Sequence, residues 1–355
     1  MSASPFVSAG TSAADVIAGQ PVVLDYGNVA TEYAALRAGA MLVDRTARGR
    51  FIVKGARARE MITGIVTNDV NALTPGHGQY AAALTAKGKI VADVRIFARE
   101  GSLLIDTPPR AADGWDAMVR KFINPRLAPY RNASAELRQI GVFGMRSRLI
   151  VAGALGIAPA ALGALPPYGH MEVHEPMEAM VANVPDLAFE GYEIFVAPAH
   201  FDTCWRLLSR AGATPTGLSA WKIARIEAGR PEWGVEIDAT TIPQEANFDE
   251  LDAISYTKGC YVGQEVVARV HFRGHVNKHL RGLLCGQNAP PPRNAALVTD
   301  AGKPAGEIRS TAVSPRLGAI ALGMVRRDVE PGTTLTVQWE GGEAQADVSA
   351  LPFPL

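Results

Sequence analysis

The sequence predicts an α+β protein of two or three domains that ends in a small antiparallel β-barrel. Its 355 residues exceed the usual size of one domain. Helical and extended patterns alternate up to about residue 250, which is typical of mixed α and β domains. From about residue 279 onward, short extended runs follow one another with glycine and proline between them, and this pattern indicates an antiparallel barrel.

The N-terminal region combines helical and extended segments. Residues 31–45 carry apolar groups at helical spacing and then pass into an extended run. Residues 78–100 form a predicted hairpin with a glycine at its turn. The other predicted elements are, in order, a strand at 49–55, a helix at 55–70, a strand at 101–108 and a helix at 114–124 that Pro125 terminates.

The middle and C-terminal regions continue the mixed pattern and then change to short strands. Strands are predicted at 148–153 and 190–197, followed by helices at 200–212 and 217–229. The predicted barrel strands are 279–286, 295–300, 318–325 and 334–339.

Composition excludes several classes of protein. Lys plus Arg and Asp plus Glu balance at 35 each, so no overall field attracts nucleic acid or a membrane surface. Three widely spaced cysteines fit free thiols in a reducing cytoplasm better than a disulfide framework. The first basic residue is Arg37, so no signal or transit peptide is expected. The uncharged run 149–169 is long enough to span a bilayer, but its prolines and glycines favour a short buried helix followed by a loop.

The segment TKGCYVGQEVVARV, residues 257–270, places Cys260 between Gly259 and Gly263 with Lys258 beside it. A thiol reacts as the thiolate, and a neighbouring cation or a helix N-terminus lowers its pKa, so a functional thiol is one interpretation. The other is a small buried hydrophobic residue. After Gly263 two structures remain open, because the valines favour a strand and an acid in the first turn favours a helix.

A basic region follows the cysteine. Between Lys258 and Arg281 there are five Lys or Arg residues and one acid, Glu265. Three histidines also recur there at intervals of four, but a glycine interrupts the helix that a metal site would need. The region is expected either to meet an anionic group, such as a glutamate tail or a phosphate, or to be a solvated loop.

Three further places combine charge with an apolar setting. Arg225 and Glu227 lie two residues apart and suit either a polar heteroaromatic ligand or a structural ion pair. Glu193 follows Tyr192 in a strand, where an acid either faces solvent or accepts from the donor edge of a bound ring. Asp93 stands among hydrophobic strand residues, and a carboxylate there either points outward or belongs to a site, because its burial is costly unless it is paired.

KGCYVGQE, residues 258–265, resembles the K-G-C-Y-x-G-Q-E signature of the YgfZ family, whose members are relatives of the glycine-cleavage T protein. The similarity covers nearly the whole chain. It includes the N-terminal segments 42–70 and 76–97, the middle segments 190–196, 224–237 and 242–249, and the segment 274–284 that opens the predicted barrel.

The resemblance implies an α+β protein of three domains arranged as a cloverleaf around a central channel. These would be an N-terminal folate-binding domain at 1–140, a second α+β domain with the cysteine motif at 141–278, and a barrel at 279–355. It also implies binding of tetrahydrofolate or a one-carbon derivative. The implied role is support of iron–sulfur cluster assembly or repair, including for radical enzymes that modify tRNA, with Cys260 as the key thiol.

Site residues are carried over by position. Glu193 matches the carboxylate that holds the pterin ring in T proteins, and Asp93 stands where T proteins often carry two acids, one of them a catalytic aspartate. The expected catalytic residues are Cys260, Lys258 and Asp93. The expected cofactor contacts are Glu193, Tyr192, Arg225, Glu227, Tyr261, Gly263, Gln264, Glu265 and Arg269. No metal ligand is expected.

The expected partners are folate and iron–sulfur scaffold or client proteins. The protein is expected to be a cytoplasmic monomer without membrane or direct nucleic-acid contacts, and a transient iron–sulfur cluster is left open. Two alternatives remain: a tetrahydrofolate-dependent aminomethyltransferase, whose turnover would need Asp93, and a non-enzymatic docking platform for cluster scaffold proteins.

Overall fold

The computed structural model describes residues 13–286 and 289–354. The chain forms two compact units, each of which is built from three separate stretches of the sequence. The first unit comprises Met1–Ala83, Val91–Trp221 and Ala253–Val262, and the second comprises Leu84–Ile90, Lys222–Asp252 and Gly263–Leu355. The ends of the predicted terminal domains, residues 1–12 and 355, lie outside the described residues, and the three-domain division stays a prediction.

The first unit contains two antiparallel or mixed sheets and a two-stranded ribbon. Its strands are β1 (Ala13–Ile17), β2 (Gln20–Asp25), β3 (Ala40–Asp44), β4 (Gly49–Lys54), β5 (Gly78–Leu84), β6 (Ile90–Arg99), β7 (Ser102–Thr107), β8 (Tyr130–Asn132), β9 (Arg138–Phe143), β10 (His170–Val173), β11 (Ala179–Asn183), β12 (Gly191–Val196) and β13 (Ala213–Pro215). The helices are α1 (Val29–Ala38), α2 (Ala58–Thr63), α3 (Ala112–Phe122), α4 (Ser147–Leu155), α5 (Pro159–Gly163), α6 (Phe201–Arg210) and α7 (Leu218–Glu227), which continues into the second unit.

Strand order brings distant segments together. One sheet has the order β5-β6-β7-β4-β8, and the other has the order β10-β11-β12-β9-β3-β13. The strands pair antiparallel in the pairs described, except for the parallel pair of β13 with β3. The six residues of β12 are all buried, because the strand lies inside its sheet between β11 and β9. The core on one side of this sheet includes apolar residues of α4 and α6.

The second unit is built around a closed barrel of order β14-β17-β16-β15-β18-β19, in which β14 pairs with both β17 and β19. Closure leaves no open sheet edge. The strands are β14 (Lys278–Leu284), β15 (Ala296–Val298), β16 (Pro304–Ser314), β17 (Gly318–Arg326), β18 (Thr334–Trp339) and β19 (Gly342–Ser349). Helix α8 (Gln264–Arg273) precedes the barrel in the chain.

Most predicted elements form, and one expectation needs correction. The α+β architecture with its C-terminal antiparallel barrel is confirmed. The strand predicted at 148–153 is wrong, because these residues belong to α4, where the apolar side chains pack as a buried helix. The prediction of a short buried helix in the uncharged run 149–169 is correct. Across the described residues, every helix falls short of the length and apolar character that a membrane crossing needs.

Candidate functional site

Three arginines and three carboxylates form a buried cluster where the two sheets of the first unit meet. Arg95 on β6 lies opposite Asp106 on β7 in the strand register, and Arg95 Nη1 donates to Asp106 Oδ2 at 3.0 Å and to Glu193 Oε1 on β12 at 3.2 Å. Arg95 Nη2 also donates to Asp186. Because these side chains are less than 10% exposed, the cluster joins the two sheets through charge pairs that water does not screen.

Two further arginines complete the cluster. Arg48 Nε donates to Asp106 Oδ1 at 2.8 Å, and Arg45 Nε donates to Glu193 Oε1 at 3.3 Å. The Arg45 guanidinium lies 4.1 Å from the centre of the Trp221 ring. Gly141, which pairs with Glu193, leaves room for its neighbours, because an added Cβ would lie 2.4 Å from Phe143 Cε2 and 3.2 Å from Arg45 Cγ.

The charged neighbours in the cluster shift the pKa of Asp106 and of Arg95. Burial alone raises the pKa of Asp106, but the attraction of Arg48 and Arg95 outweighs burial and brings that pKa below its ordinary value. For Arg95 the carboxylates likewise outweigh burial, so the pKa is raised. The Asp106 carboxylate and the Arg95 guanidinium therefore stay ionised inside the protein.

The structure places Glu193 inside this cluster and not at an open surface. Its side chain is 0% exposed, and its second oxygen, Oε2, accepts from Gln139 Nε2 at 2.9 Å. Both oxygens of Glu193 thus have partners within the protein, and the pterin contact that the resemblance implies stays a prediction. Tyr192, the preceding residue, packs in the hydrophobic core, and its hydroxyl donates to Glu190 at 2.8 Å. Neighbouring strand residues face opposite sides of a sheet, so the two do not share a site.

Asp93 is the second candidate carboxylate that the structure shows to be buried. It lies two residues before Arg95 on β6 and therefore on the same face of the strand. The Tyr80 hydroxyl donates to Asp93 Oδ2 at 2.9 Å, and the Tyr80 and Tyr168 rings stack with centres 6.3 Å apart. Asp93 is 4% exposed, which excludes the outward-facing alternative. A carboxylate oriented by a phenol beside stacked aromatic rings can hold a polar ring or take up a proton.

Lys258 and Cys260 belong to the part of the cysteine segment that lies in the first unit, and the Lys258 ammonium binds backbone carbonyls there. Lys258 Nζ donates to the carbonyls of Thr63, Val66 and Asn68 at 2.5, 2.5 and 3.0 Å, which uses all three donors of the ammonium. The amino group also lies 4.4 Å from the centre of the Tyr261 ring. Burial lowers the pKa of Lys258 to about 8. Lys258 and Tyr261 thus anchor the segment.

Cys260 is exposed, unlike the two other cysteines. The interpretation of Cys260 as a buried hydrophobic residue is therefore wrong. Within residues 13–286 and 289–354, no three His, Cys, Asp or Glu side chains are grouped to hold a metal ion.

The remaining candidate residues lie in the second unit, where Arg225 and Glu227 make structural contacts. Arg225 forms a bidentate ion pair with Glu236, in which Nη1 donates to Oε2 at 2.8 Å and Nη2 donates to Oε1 at 2.9 Å. The Glu227 carboxylate accepts a hydrogen bond from the Ser314 hydroxyl. Of the two interpretations of Arg225, a ligand contact or a structural ion pair, the structure shows the ion pair. The segment after Gly263 is helix α8, and Gly263 caps it with a left-handed φ of 85°. On this helix Gln264 is half-buried, and Glu265 and Arg269 are exposed.

Sequence reasoning missed most of the cluster. Of its six members the sequence patterns single out only Glu193, and they miss Arg45, Arg48, Arg95, Asp106 and Asp186. One signal was available: Asp106 ends an apolar run in β7, the same pattern that singled out Asp93 in β6. Of the two arginines that pair with Asp106, Arg95 lies 11 residues away on the neighbouring strand and Arg48 lies 58 residues away.

The fold and these contacts can now be compared with known proteins. Residues 19–253 match the family model of the GCVT N-terminal domain, and residues 278–354 match that of the glycine cleavage T-protein C-terminal barrel domain. The chain belongs to the glycine-cleavage T-protein family.

Relatives in this family match along the whole chain. The aminomethyltransferase of Saccharopolyspora erythraea is 29% identical over 347 residues, covering 95% of this chain and 92% of its own. That of Bordetella petrii is 28% identical and covers 99% and 94%. The crystal structure of the glycine cleavage system aminomethyltransferase T from Bartonella henselae superposes with a TM-score of 0.87 at 21% identity, over 98% of this chain and 95% of that chain, so it shows the fold.

These matches correct the functional expectation. The relationship to T proteins is confirmed, and the narrower YgfZ assignment is not. The expectation of a protein that supports iron–sulfur cluster assembly or repair is wrong, because the full-length relatives of this T-protein family member are named aminomethyltransferase. The alternative of folate-dependent transfer is the one that the comparisons favour.

Proposed function

We propose that this protein is a tetrahydrofolate-dependent aminomethyltransferase of the glycine-cleavage T-protein type. The observation that carries the proposal is the extent of the match: relatives named aminomethyltransferase correspond to 91–99% of the chain, through both family domains. A cytoplasmic location belongs to the same proposal, and the three free cysteines support it.

Asp93 is the residue to which we assign the chemistry. When a one-carbon unit is bonded to a folate nitrogen, that nitrogen must lose its proton, and a positioned carboxylate can accept it. Tyr80 fixes one oxygen of Asp93 through its 2.9 Å hydrogen bond. Where T proteins often carry two acids, this chain has Ala92 followed by Asp93, so a single carboxylate would do the work.

Glu193 enters the proposal indirectly. It pairs with Arg95, which stands on the same face of β6 as Asp93. The buried cluster therefore holds in place the strand that presents Asp93. In this proposal Glu193 is a positioning residue, and Asp93 is the catalytic residue.

The test is an assay of one-carbon transfer with the full chain. Purified protein is mixed with tetrahydrofolate and an aminomethyl donor, and methylene-tetrahydrofolate is followed with a coupling dehydrogenase. Asp93→Asn should lower kcat about 100-fold or more, the range typical of a lost general base. The matched control is Glu100→Gln, which neutralises an exposed acid just after the same strand and should leave kcat unchanged.

Two results would overturn the proposal. One is no turnover by the unaltered protein with donors that a T protein of this family uses in the same assay. The other is turnover that Asp93→Asn leaves unchanged. Tetrahydrofolate binding, measured separately by titration, distinguishes a lost chemical step from lost binding.

A further inference from the structure

Helix α4 exposes an apolar face on the surface of the first unit. Leu149, in its first turn, is 57% exposed, and Met145, four residues earlier and just ahead of the helix, is 67% exposed. Residues four apart lie on one side of a helix, so Gly153 continues the same stripe. Gly153 is exposed, and within the described part of the chain an added Cβ would point into open space. The stripe therefore begins with two large apolar side chains and ends in a shallow gap.

The inner side of α4 already packs in the protein. Ile150, Val151 and Leu155 are buried in the core that α4 shares with α6. Leu149 and Met145 point away from this core into solvent, where their apolar surface gains nothing from burial. The outer face of α4 is thus available for a contact that the single chain does not make.

The surroundings of the stripe carry few charges. Residues 149–169 contain no charged side chain. The exposed residues of the next helix, α5, are small: Pro159, Ala160, Ala161 and Gly163. Single exposed apolar residues are ordinary, but adjacent ones in an uncharged setting are typical of an interaction surface.

The charges at the edge of the stripe select a second copy of this chain as the partner. Arg146 and Arg148 both lie at the N-terminal end of α4, and Arg148 pairs there with Glu190 at 2.7 Å. Two α4 helices side by side in the same direction would bring Arg146 next to Arg146. In the antiparallel arrangement each Arg146 instead lies near the C-terminal end of the other helix, where the carbonyls are partly negative and the last turn has no basic residue.

The shape of the stripe fits the same arrangement. If Leu149 of each copy lies over Gly153 of the other, the large side chain fills the gap that the glycine leaves, and the contact occurs twice by symmetry. The two Arg146 residues are then ten helical positions apart along the axis, about 15 Å, so their repulsion is largely screened at physiological salt.

We propose that the exposed face of α4 is a homodimer interface, in which two α4 helices pack antiparallel across a twofold axis with Leu149 of each copy against Gly153 of the other. The proposal goes beyond the transferase activity and does not rest on it, and it differs from the monomer expected from the sequence. One pair of short helices buries less than the about 1,200 Å² of a standard interface, so the dimer should be a weak one with a dissociation constant in the micromolar range.

The experiment is sedimentation velocity of the full chain at increasing concentration. Between about 1 and 300 µM the mass should rise from the 37.6 kDa of one chain toward twice that value, because a weak dimer forms by mass action. Raising the salt from about 0.05 M to about 0.5 M should not dissociate the dimer, since the centre of the interface is uncharged.

The first variant places a charge at the centre of the interface. Leu149→Glu should stay folded, because an acid in the first turn is favourable for a helix. It should weaken the dimer at least about 30-fold, since each copy would have to bury a carboxylate. The matched control is Val313→Glu, which replaces a 47% exposed apolar residue of the barrel strand β16 by the same acid and should leave the dissociation constant unchanged.

The second variant separates the interface from the stability of the single chain. Gly153→Gln should raise the Tm measured at low concentration, because glycine is unfavourable inside a helix and the added side chain meets open space. The same side chain fills the gap that Leu149 of the other copy needs, so it should weaken the dimer at least about tenfold. A purely structural role of Gly153 would not produce these opposite changes.

Each outcome decides for or against the interface. A dimer that both α4 variants weaken and Val313→Glu retains supports it. A monomer over the whole concentration range overturns it. A dimer that salt dissociates, or that Leu149→Glu and Gly153→Gln leave unchanged, uses another surface and also overturns it. Circular dichroism checks the fold of each variant, and Gly153→Gln decides alone if Leu149→Glu is unfolded.

Discussion

Replacement of Arg95 by methionine should be among the most destabilising single changes on β6. Arg95 takes part in three of the six ion pairs of the buried cluster. Without it, Arg45 and Arg48 would remain against three carboxylates, which leaves one uncompensated negative charge in the interior. Breaking a buried pair in this way costs about 3–5 kcal/mol of the free energy of unfolding, so we expect a loss of about 4 kcal/mol.

The same strand provides the control. Arg99 pairs with Glu172 at 2.7 Å, but their side chains are 32% and 39% exposed, so Arg99→Met should cost less than about 1 kcal/mol. Both variants and the unaltered protein are unfolded with guanidinium, and the first transition is followed by circular dichroism and tryptophan fluorescence. The reasoning fails if the two variants lose equal stability, or if Arg95→Met loses less than about 1 kcal/mol.

Acid unfolding gives an independent reading of the same cluster. The pKa of Asp106 is lowered in the folded protein, so near pH 4 the native state binds fewer protons than the unfolded state. Its contribution to stability is therefore present above the unfolded pKa of about 3.9 and is lost as the pH falls through the folded pKa. Removing Arg95 weakens the attraction that lowers this pKa. The acid-unfolding midpoint of Arg95→Met should accordingly lie at a higher pH than that of the unaltered protein, and an unchanged midpoint would contradict this account.

Three further outcomes follow from single contacts. Gly88→Ala should cost about 2 kcal/mol more than Gly101→Ala in chemical unfolding, because both have positive φ but only the first would press its Cβ against a neighbour. In the native protein one thiol equivalent, Cys260, should react with a thiol reagent, and three should react after unfolding. Burial raises the pKa of Cys204 to about 12 and that of Cys285 to about 11, so both react slowly in the folded protein. Three fast equivalents in the native state would refute the burial. Tyr80→Phe should lower the free energy of unfolding by about 2 kcal/mol through loss of its buried bond to Asp93, and a loss below about 0.5 kcal/mol would show that the bond is weak.

The sequence could predict where Glu193 lies in the chain and in which element, but not what surrounds it. Its strand, β12, was recognisable from apolar and aromatic residues, and an acid in such a strand is ordinarily solvent-facing. In the fold both faces of β12 are covered. The cations that make this burial possible, Arg45 and Arg95, are 148 and 98 residues away. Local periodicity carries no information about partners at that distance, so the cluster could not be predicted.

The segment after Gly263 shows the opposite case, in which local signals disagreed. Three valines favoured a strand, and Glu265 in the first turn favoured a helix. The helix forms with only Val267 fully buried, and an added Cβ at Gly263 would lie 2.6 Å from the Thr85 carbonyl. The left-handed glycine and the close packing around it favour the helix. The β-propensity of the valines depends on packing within a sheet, and this segment is not part of a sheet.

The motif KGCYVGQE misled the functional prediction because much of it serves the fold. Lys258 and Tyr261 anchor the segment, the Val262 amide donates to the Gly64 carbonyl at 3.1 Å, and Gly263 takes the left-handed conformation that caps α8. Residues required by such contacts are needed whatever chemistry the protein performs. Only the exposed residues of the motif, above all Cys260, can indicate a particular function. A short motif therefore indicates function through its exposed positions alone, and in this chain those positions are too few to outweigh a family match along the whole sequence.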